Sequence, residues 1–105
     1  MSPRTAIDCL VTGHELAPEA LGGDRAVNLP GVSVSVGDMV EALRRAAGDA
    51  AVRRIRWQRD KAVERIVGSW PGAWDTGRAR ALGFPADENF DSIIRAYIDD
   101  DLESA

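Results

Sequence analysis

The segment between Ser35 and Gly48 constrains the fold of this sequence most strongly. Ser35 can cap a first helical turn, and Gly48 is the residue type that commonly ends a helix. Between them, apolar residues recur at the spacing of one helical face: Val36, Met39, Val40, Leu43 and Ala47. The pattern predicts an amphipathic helix, which must bury that face against another part of the fold.

The start of the chain predicts a second helix. Ser2 and Pro3 are typical of an N-cap followed by the first helical position. Ile7, Leu10, Val11 and His14 then share one face of the helix. We expect this face to point inward, with His14 partly buried, and Cys9 beside it to be a small core residue.

Three further helices are predicted over residues 61–67, 76–82 and 90–102. Acidic residues between positions 87 and 91 suit the N-terminus of the last helix, where the helix dipole favours negative charge. Asp99, Asp100 and Asp101 lie at its unfavourable end, so the acidic tail, residues 99–103, is expected to fray into solvent.

Three segments have the composition of short strands. Residues 25–29 are rich in apolar side chains and end at Pro30, whereas residues 32–36 and 54–58 alternate in polarity with a period of two. The predicted fold class is therefore α/β: a small, helix-rich domain with two or three short strands.

The length of 105 residues allows one domain, which we place over residues 1–105. No apolar run approaches the length of a membrane span, and the first residues lack the apolar core of a signal peptide. A single cysteine and a single histidine exclude a disulfide framework and multi-histidine metal sites. We expect a cytoplasmic protein without a membrane partner.

Charge is unevenly distributed along the chain. Residues 44–65 carry eight basic and three acidic side chains, whereas the whole chain has a net charge of −4. The basic segment leaves open a free-standing interaction or nucleic-acid-binding module. The acidic total argues against nucleic acid as a partner, and the arginines between positions 53 and 59 are expected to form a solvated face.

The sequence lacks the motifs of several common catalytic and cofactor sites. It contains no GxGxxG and no phosphate-binding loop, and Gly22-Gly23 precedes a predicted strand instead of following one. The only tyrosine, Tyr97, is followed four positions later by Asp101, so a Tyr-x-x-x-Lys pair is absent. We predict no catalytic, cofactor-binding or metal-binding residue within this chain.

Three residues remain as candidates for ligand binding. Arg4 opens the first helix, where its guanidinium and free backbone N–H groups could converge on an anion, although it could equally be a surface arginine. Arg65 precedes a loop in which Trp70 and Trp74 flank Pro-Gly. The two indoles could wall a ligand, line an interface or pack the loop onto the core.

The order of the segments resembles the C-terminal part of NAD-dependent epimerase/dehydratase proteins, the extended short-chain dehydrogenase/reductases. Residues 25–44 (RAVNLPGVSVSVGDMVEALR) resemble the passage in which a strand leads into a helix of the family's substrate domain. Residues 73–84 (AWDTGRARALGF) and 90–97 (FDSIIRAY) resemble its two closing passages. The motifs SPR at 2–4, IVGSWPG at 66–72 and LGFP at 82–85 are most similar to the D-erythronate dehydrogenase branch of this family.

The resemblance implies a substrate-binding domain that closes over a small sugar or sugar acid. It implies Arg4 as a contact for a substrate carboxylate or another anion, and Arg65 and Trp70 as further substrate-binding residues. NAD is implied for the full-length enzyme, but the family's nucleotide-binding half, the Rossmann domain, has no counterpart in this sequence. A separate fragment of this kind would be inactive alone.

A domain without its usual partner is expected to expose apolar surface. Val32, Val34 and Trp70 are the candidate exposed residues. Self-association is therefore expected, in particular a homodimer that pairs the edges of the strand predicted at residues 32–36.

Overall fold

The computed structural model describes residues 1–102, and these residues form seven helices without a β-strand. The helices are α1 (Pro3–Glu15), α2 (Pro18–Leu21), α3 (Val36–Ala47), α4 (Asp49–Val52), α5 (Lys61–Val67), α6 (Gly77–Ala81) and α7 (Phe90–Asp100). The predicted α/β class is therefore wrong, whereas the prediction of a small, helix-rich domain fits the structure.

The segment predicted as a strand at residues 25–29 has no regular secondary structure and is anchored by a side chain. The guanidinium of Arg78 donates hydrogen bonds to the carbonyls of Leu21, Asp24 and Ala26, at 2.6–2.8 Å. Because a strand needs a neighbouring backbone about 4.8 Å away, apolar composition alone does not make one.

The other two segments predicted as strands, residues 32–36 and 54–58, also form no strand. In residues 32–36, the Ser33 hydroxyl donates to the carbonyl of Gly72, and Ser35 already caps α3. At residues 54–58, the amides of Arg54 and Ile55 close turns onto the end of α4. No second extended backbone pairs with either segment in the described part of the chain.

Three predicted helix boundaries are confirmed. The hydroxyl of Ser2 accepts from the amide of Thr5 at the start of α1, and that of Ser35 accepts from the amide of Asp38 at the start of α3. Gly48 ends α3 with a φ of 82°, a backbone conformation that favours glycine.

The core lies where α3 packs against α7, and α1 also packs against α7. The buried apolar residues of the described chain are small: Cys9, Pro30, Ala42, Ala79 and Ala96. Small residues let helices approach closely, but they bury little apolar area. The prediction that Cys9 is a core residue is confirmed, since it is 1% exposed.

The orientation of α1 is opposite to the predicted one. Its buried residues are Thr5 and Cys9, whereas Ile7, Leu10 and Val11 are 60%, 74% and 51% exposed. His14, expected to be partly buried, is also exposed. The more apolar face of α1 therefore points away from the rest of the described chain.

The molecule is thin and extended for its mass. Its Cα atoms span 50 × 38 × 18 Å with a radius of gyration of 16.8 Å, whereas a compact domain of this length has a radius of about 13 Å. Since packed helix axes lie roughly 8–10 Å apart, 18 Å leaves room for two helical layers at most. Among the residues described, no helix is both long and apolar enough to cross a membrane.

Candidate functional site

The first candidate residue, Arg4, is paired with the end of α7. Its Nε and Nη2 donate to Oδ2 and Oδ1 of Asp100, both at 2.8 Å, and Asp99 lies 3.8 Å from Nη2. The Arg4 guanidinium, through its hydrogen bonds and charge, lowers the pKa of Asp100. Asp99 and Asp100 belong to α7, so the prediction that the acidic tail frays is wrong for these two residues. Glu103 lies outside the described residues.

The surroundings of Arg4 are net negative. Arg4 lines a shallow concavity of about 310 Å³ with Asp8, Asp100 and Asp101. An anionic ligand would have to displace Asp100 from the guanidinium and approach two further carboxylates. Arg4 thus remains a predicted substrate contact, and Asp100 would compete with the substrate for it.

A second polar cluster fixes α1 near this concavity. Asp87 accepts from the amide and the hydroxyl of Ser2 and from the hydroxyl of Thr5, each at 2.7 Å. Burial acts to raise the pKa of Asp87, but these three hydrogen bonds outweigh it, so that the pKa lies below its ordinary value. The cluster was not predicted, because no sequence spacing relates Ser2 to a residue 85 positions away.

The other two candidates lie on a separate part of the molecule. We define the Trp arm as residues 56–75, all of which are exposed. It includes α5, which packs against no other helix among the described residues. Arg65 lies on α5, and Trp70, 65% exposed, follows it. The structure does not bring either residue into contact with Arg4.

The exposure of Trp70 and Trp74 excludes one of the three interpretations of their loop, which were ligand binding, an interface and packing onto the core. Trp70 and Trp74 are 65% and 63% exposed, so they do not pack the loop onto the core of the described chain. Exposed indoles can contact a ligand or another protein surface. The arm therefore keeps the ligand and interface interpretations and loses the core-packing one.

Three pKa shifts among the described residues that could bear on catalysis have structural causes. The carboxylates whose pKa is shifted, Asp87 and Asp100, are lowered by structural hydrogen bonds. Burial raises the pKa of the Cys9 thiol, which disfavours the reactive thiolate. Within residues 1–102, no group of three potential metal-binding side chains is present either.

The same residues do not fit NAD. A dinucleotide site needs a glycine-rich turn between a strand and a helix, whose amides contact the pyrophosphate. Gly22 and Gly23 instead follow the one-turn helix α2 and lead into the segment anchored by Arg78. We therefore assign no step of a reaction through NAD to these residues.

Several basic residues of segment 44–65 are already paired with carboxylates. Arg44 pairs with Glu41 and Asp49, Arg45 with Asp91, and Arg59 with Glu64. Phosphate contacts through Arg44, Arg45 or Arg59 would have to break these pairs.

Comparison with known proteins gives two related enzymes that match nearly the whole chain. D-erythronate dehydrogenase from Cupriavidus necator is 56% identical over 100 residues, which are 95% of this chain and 31% of that enzyme. The predicted resemblance is confirmed. D-erythronate dehydrogenase from Haemophilus influenzae is 35% identical over 101 residues, or 96% of this chain and 32% of the enzyme. No model of a protein family matches the chain.

A solved structure supports the same relationship. The crystal structure of the nucleoside-diphosphate-sugar epimerase from Agrobacterium tumefaciens superposes with a TM-score of 0.90 at 38% identity. The match covers 95% of this chain and 29% of the epimerase chain. The chain thus spans about a third of the length of the proteins it resembles.

Proposed function

We propose that this chain is the substrate-binding portion of an NAD-dependent sugar or sugar-acid dehydrogenase or epimerase. The observation that carries the proposal is the 56% identity to D-erythronate dehydrogenase over 95% of the chain. The proposed substrate is a small polyhydroxy acid or a related sugar, and D-erythronate is the first to test.

The proposal assigns substrate contacts to three residues. Arg65 and Trp70 supply a cation and an aromatic surface on the exposed Trp arm. Arg4 supplies a second cation, on the condition that the substrate displaces Asp100. A carboxylate substrate suits both arginines, because a planar guanidinium binds a carboxylate through two hydrogen bonds.

NAD would be bound by the other portion of the enzyme, the Rossmann domain, which would also supply the catalytic groups. This chain would then be inactive alone, since neither its sequence nor its described residues offer a nucleotide cradle or a Tyr-x-x-x-Lys pair. Calorimetry of the purified chain with NAD should give no binding, and clear micromolar affinity would contradict the assignment.

A chimera tests the function itself. In the C. necator enzyme, the segment that aligns with this chain is replaced by this chain, and NADH formation is measured with D-erythronate. Retained activity supports the assignment. A folded chimera that binds NAD but oxidises neither D-erythronate nor related sugar acids, and epimerises no nucleotide sugar, would exclude it.

The isolated chain is expected to self-associate through its exposed apolar residues. The contact would not be the predicted pairing of strand edges, because residues 32–36 do not form a strand. Light scattering at about 100 μM should show a mass above that of the monomer. A monomeric mass would contradict a homodimer that forms through the exposed apolar residues.

A further inference from the structure

One hydrogen bond connects the Trp arm to a distant part of the described chain. The hydroxyl of Ser33 donates to the carbonyl of Gly72 at 3.1 Å, across 39 positions of sequence. Every other hydrogen bond and ion pair of the arm within residues 1–102 joins residues no more than five positions apart. Since α5 packs against no other described helix, this bond is the polar contact that holds the arm to the domain.

Ser33 lies on a segment that is itself fixed on both sides. Pro30, three positions earlier, is fully buried. Ser35, two positions later, caps α3 by accepting from the amide of Asp38 at 3.1 Å. The backbone at Ser33 therefore belongs to the frame of the domain, although its side chain is exposed.

The acceptor, Gly72, lies midway between two exposed tryptophans. Trp70 and Trp74 are each two positions away from it, and they are 65% and 63% exposed. The loop begins directly after α5, because the amide of Trp70 donates to the carbonyl of Val67, the last residue of that helix, at 3.0 Å. The bond from Ser33 thus holds the middle of the loop that carries both indoles.

This hydrogen bond acts on the position of the loop more than on the stability of the fold. An exposed hydroxyl competes with water for its acceptor, so the bond adds little to the free energy of folding. Without it, the middle of the loop would sample more backbone conformations, and both indoles would lose their fixed positions. A fixed position is useful to a side chain that must meet a ligand in one geometry, because less ordering is then needed on binding.

We propose that Ser33 is a positioning residue of the substrate site, which holds the indoles of Trp70 and Trp74 where they pack against the carbon chain of the sugar acid. This inference rests on the proposed function, in which Arg65 and Trp70 bind the substrate. The guanidinium suits the carboxylate, and the flat apolar indoles suit the C–H groups of the chain. Ser33 itself contacts the loop and not the substrate.

The test begins with the mobility of the loop in the isolated chain. Ser33→Ala removes the hydroxyl, whereas Ser33→Thr keeps one. Ser69→Ala is the matched control, because its hydroxyl donates to the carbonyl of Ile66, within the arm. Heteronuclear NOEs are measured for the amides of residues 72–74 and for the indole N–H groups, together with the melting temperature.

Ser33→Ala should lower the NOEs of residues 72–74 and of the indoles of Trp70 and Trp74, because the middle of the loop is released. The melting temperature should be nearly unchanged, since an exposed bond is lost. Ser33→Thr and Ser69→Ala should leave the NOEs of residues 72–74 at their original values.

The second measurement is made in the chimera with the C. necator enzyme. Ser33→Ala should raise the KM for D-erythronate about 3- to 10-fold and leave kcat within about twofold, because disordered indoles weaken binding equally in the ground and transition states. Ser33→Thr should restore the original KM. A role in stability alone would lower the melting temperature without this division between KM and kcat.

Three results would overturn the inference. The first is a set of NOEs that Ser33→Ala does not change. The second is an active chimera in which Ser33→Ala leaves KM unchanged, which would place the loop away from the substrate. The third is a KM raised equally by Ser33→Ala and Ser33→Thr, which would exclude the hydroxyl as the cause. Failure of the proposed function is distinguishable, because the unsubstituted chimera would then be folded but inactive, and the inference would fall with it.

Discussion

Arg4 and Asp100 join the first and last long helices of the described chain across 96 positions of sequence. Both carboxylate oxygens of Asp100 accept from one guanidinium, each at 2.8 Å. Arg4, which was expected to bind substrate, therefore already has a partner within the chain. It also explains why helix α7 continues through an acidic end that its own dipole disfavours.

Replacement of Arg4 by Gln should raise the pKa of Asp100 toward the ordinary aspartate value of about 3.9. The reason is that the hydrogen bonds and charge of Arg4 hold this pKa low. The Arg4–Asp100 ion pair is intact above the ordinary pKa of an aspartate. It is lost as the pH falls through the lowered pKa of Asp100. NMR titration of the carboxyl carbons measures the change, and Arg95→Gln, on the same helix, is the control. An unaltered Asp100 titration in the Arg4 variant would contradict the pairing.

Replacement of Asp87 by Asn should destabilise the chain by roughly 2 kcal/mol at pH 7. Both carboxylate oxygens of Asp87 accept hydrogen bonds from Ser2 and Thr5. Asn keeps only one acceptor oxygen, and its NH2 group cannot accept the bonds made to the oxygen that it replaces. Urea unfolding measures the loss, with Glu88→Gln, an exposed neighbour, as the control.

The effect of Asp87 should also depend on pH in a defined direction. Its pKa is lowered in the folded chain, so its contribution is fully present above about 3.9 and disappears as the pH falls through the folded value. The difference between the Asn variant and the original chain should therefore shrink in acid. A difference that is constant from pH 7 to pH 3 would show that the charge of Asp87 is not involved.

Replacement of Arg78 by Lys should loosen residues 21–29. A lysine keeps the charge but cannot donate in the fixed planar arrangement that reaches three carbonyls at once. We expect a loss of about 1–2 kcal/mol. Limited proteolysis should detect earlier cleavage within this segment. Arg80→Lys is the matched control, since the side chain of Arg80 donates within residues 1–102 only to the Thr76 hydroxyl. Equal protease sensitivity of both variants would refute the role of Arg78.

Replacement of Arg65 by Gln in the chimera should raise the KM for D-erythronate about tenfold and change kcat little. A guanidinium–carboxylate contact that is equal in the ground and transition states contributes to binding alone. Arg59→Gln is the control, because Arg59 is already paired with Glu64. A KM and a kcat that both remain unchanged would place Arg65 outside the substrate site.

The local signals in the sequence predicted the helices better than their packing. Ser35 and Gly48 bound α3 as expected, because capping and left-handed termination depend on neighbouring residues only. The orientation of α1 depends instead on Asp87, whose distance in sequence gives no signal. The apolar spacing of Ile7, Leu10 and Val11 predicted an inward-facing side of α1, and this prediction is wrong, because all three residues are exposed in the described chain.

The errors at the predicted strands have a related cause. A period of two describes one backbone, whereas a strand is defined by a second one beside it. Residues 54–58 alternate in polarity and yet lead into the Trp arm, where Trp57 is 67% exposed. Of the candidate site, the exposure of Trp70 agrees with the sequence argument. The engagement of Arg4 by Asp100 could not be predicted without the fold.

A molecule only 18 Å thick has almost no interior in which water is excluded. Charges on its surface interact through a medium close to bulk water. Each interaction between two charges is therefore many-fold weaker than it would be in a site without water. The described residues therefore leave little room for a water-free pocket. A water-free pocket could form where one side of this thin molecule lies against a second surface. The low dielectric constant of such a pocket would then depend on both surfaces.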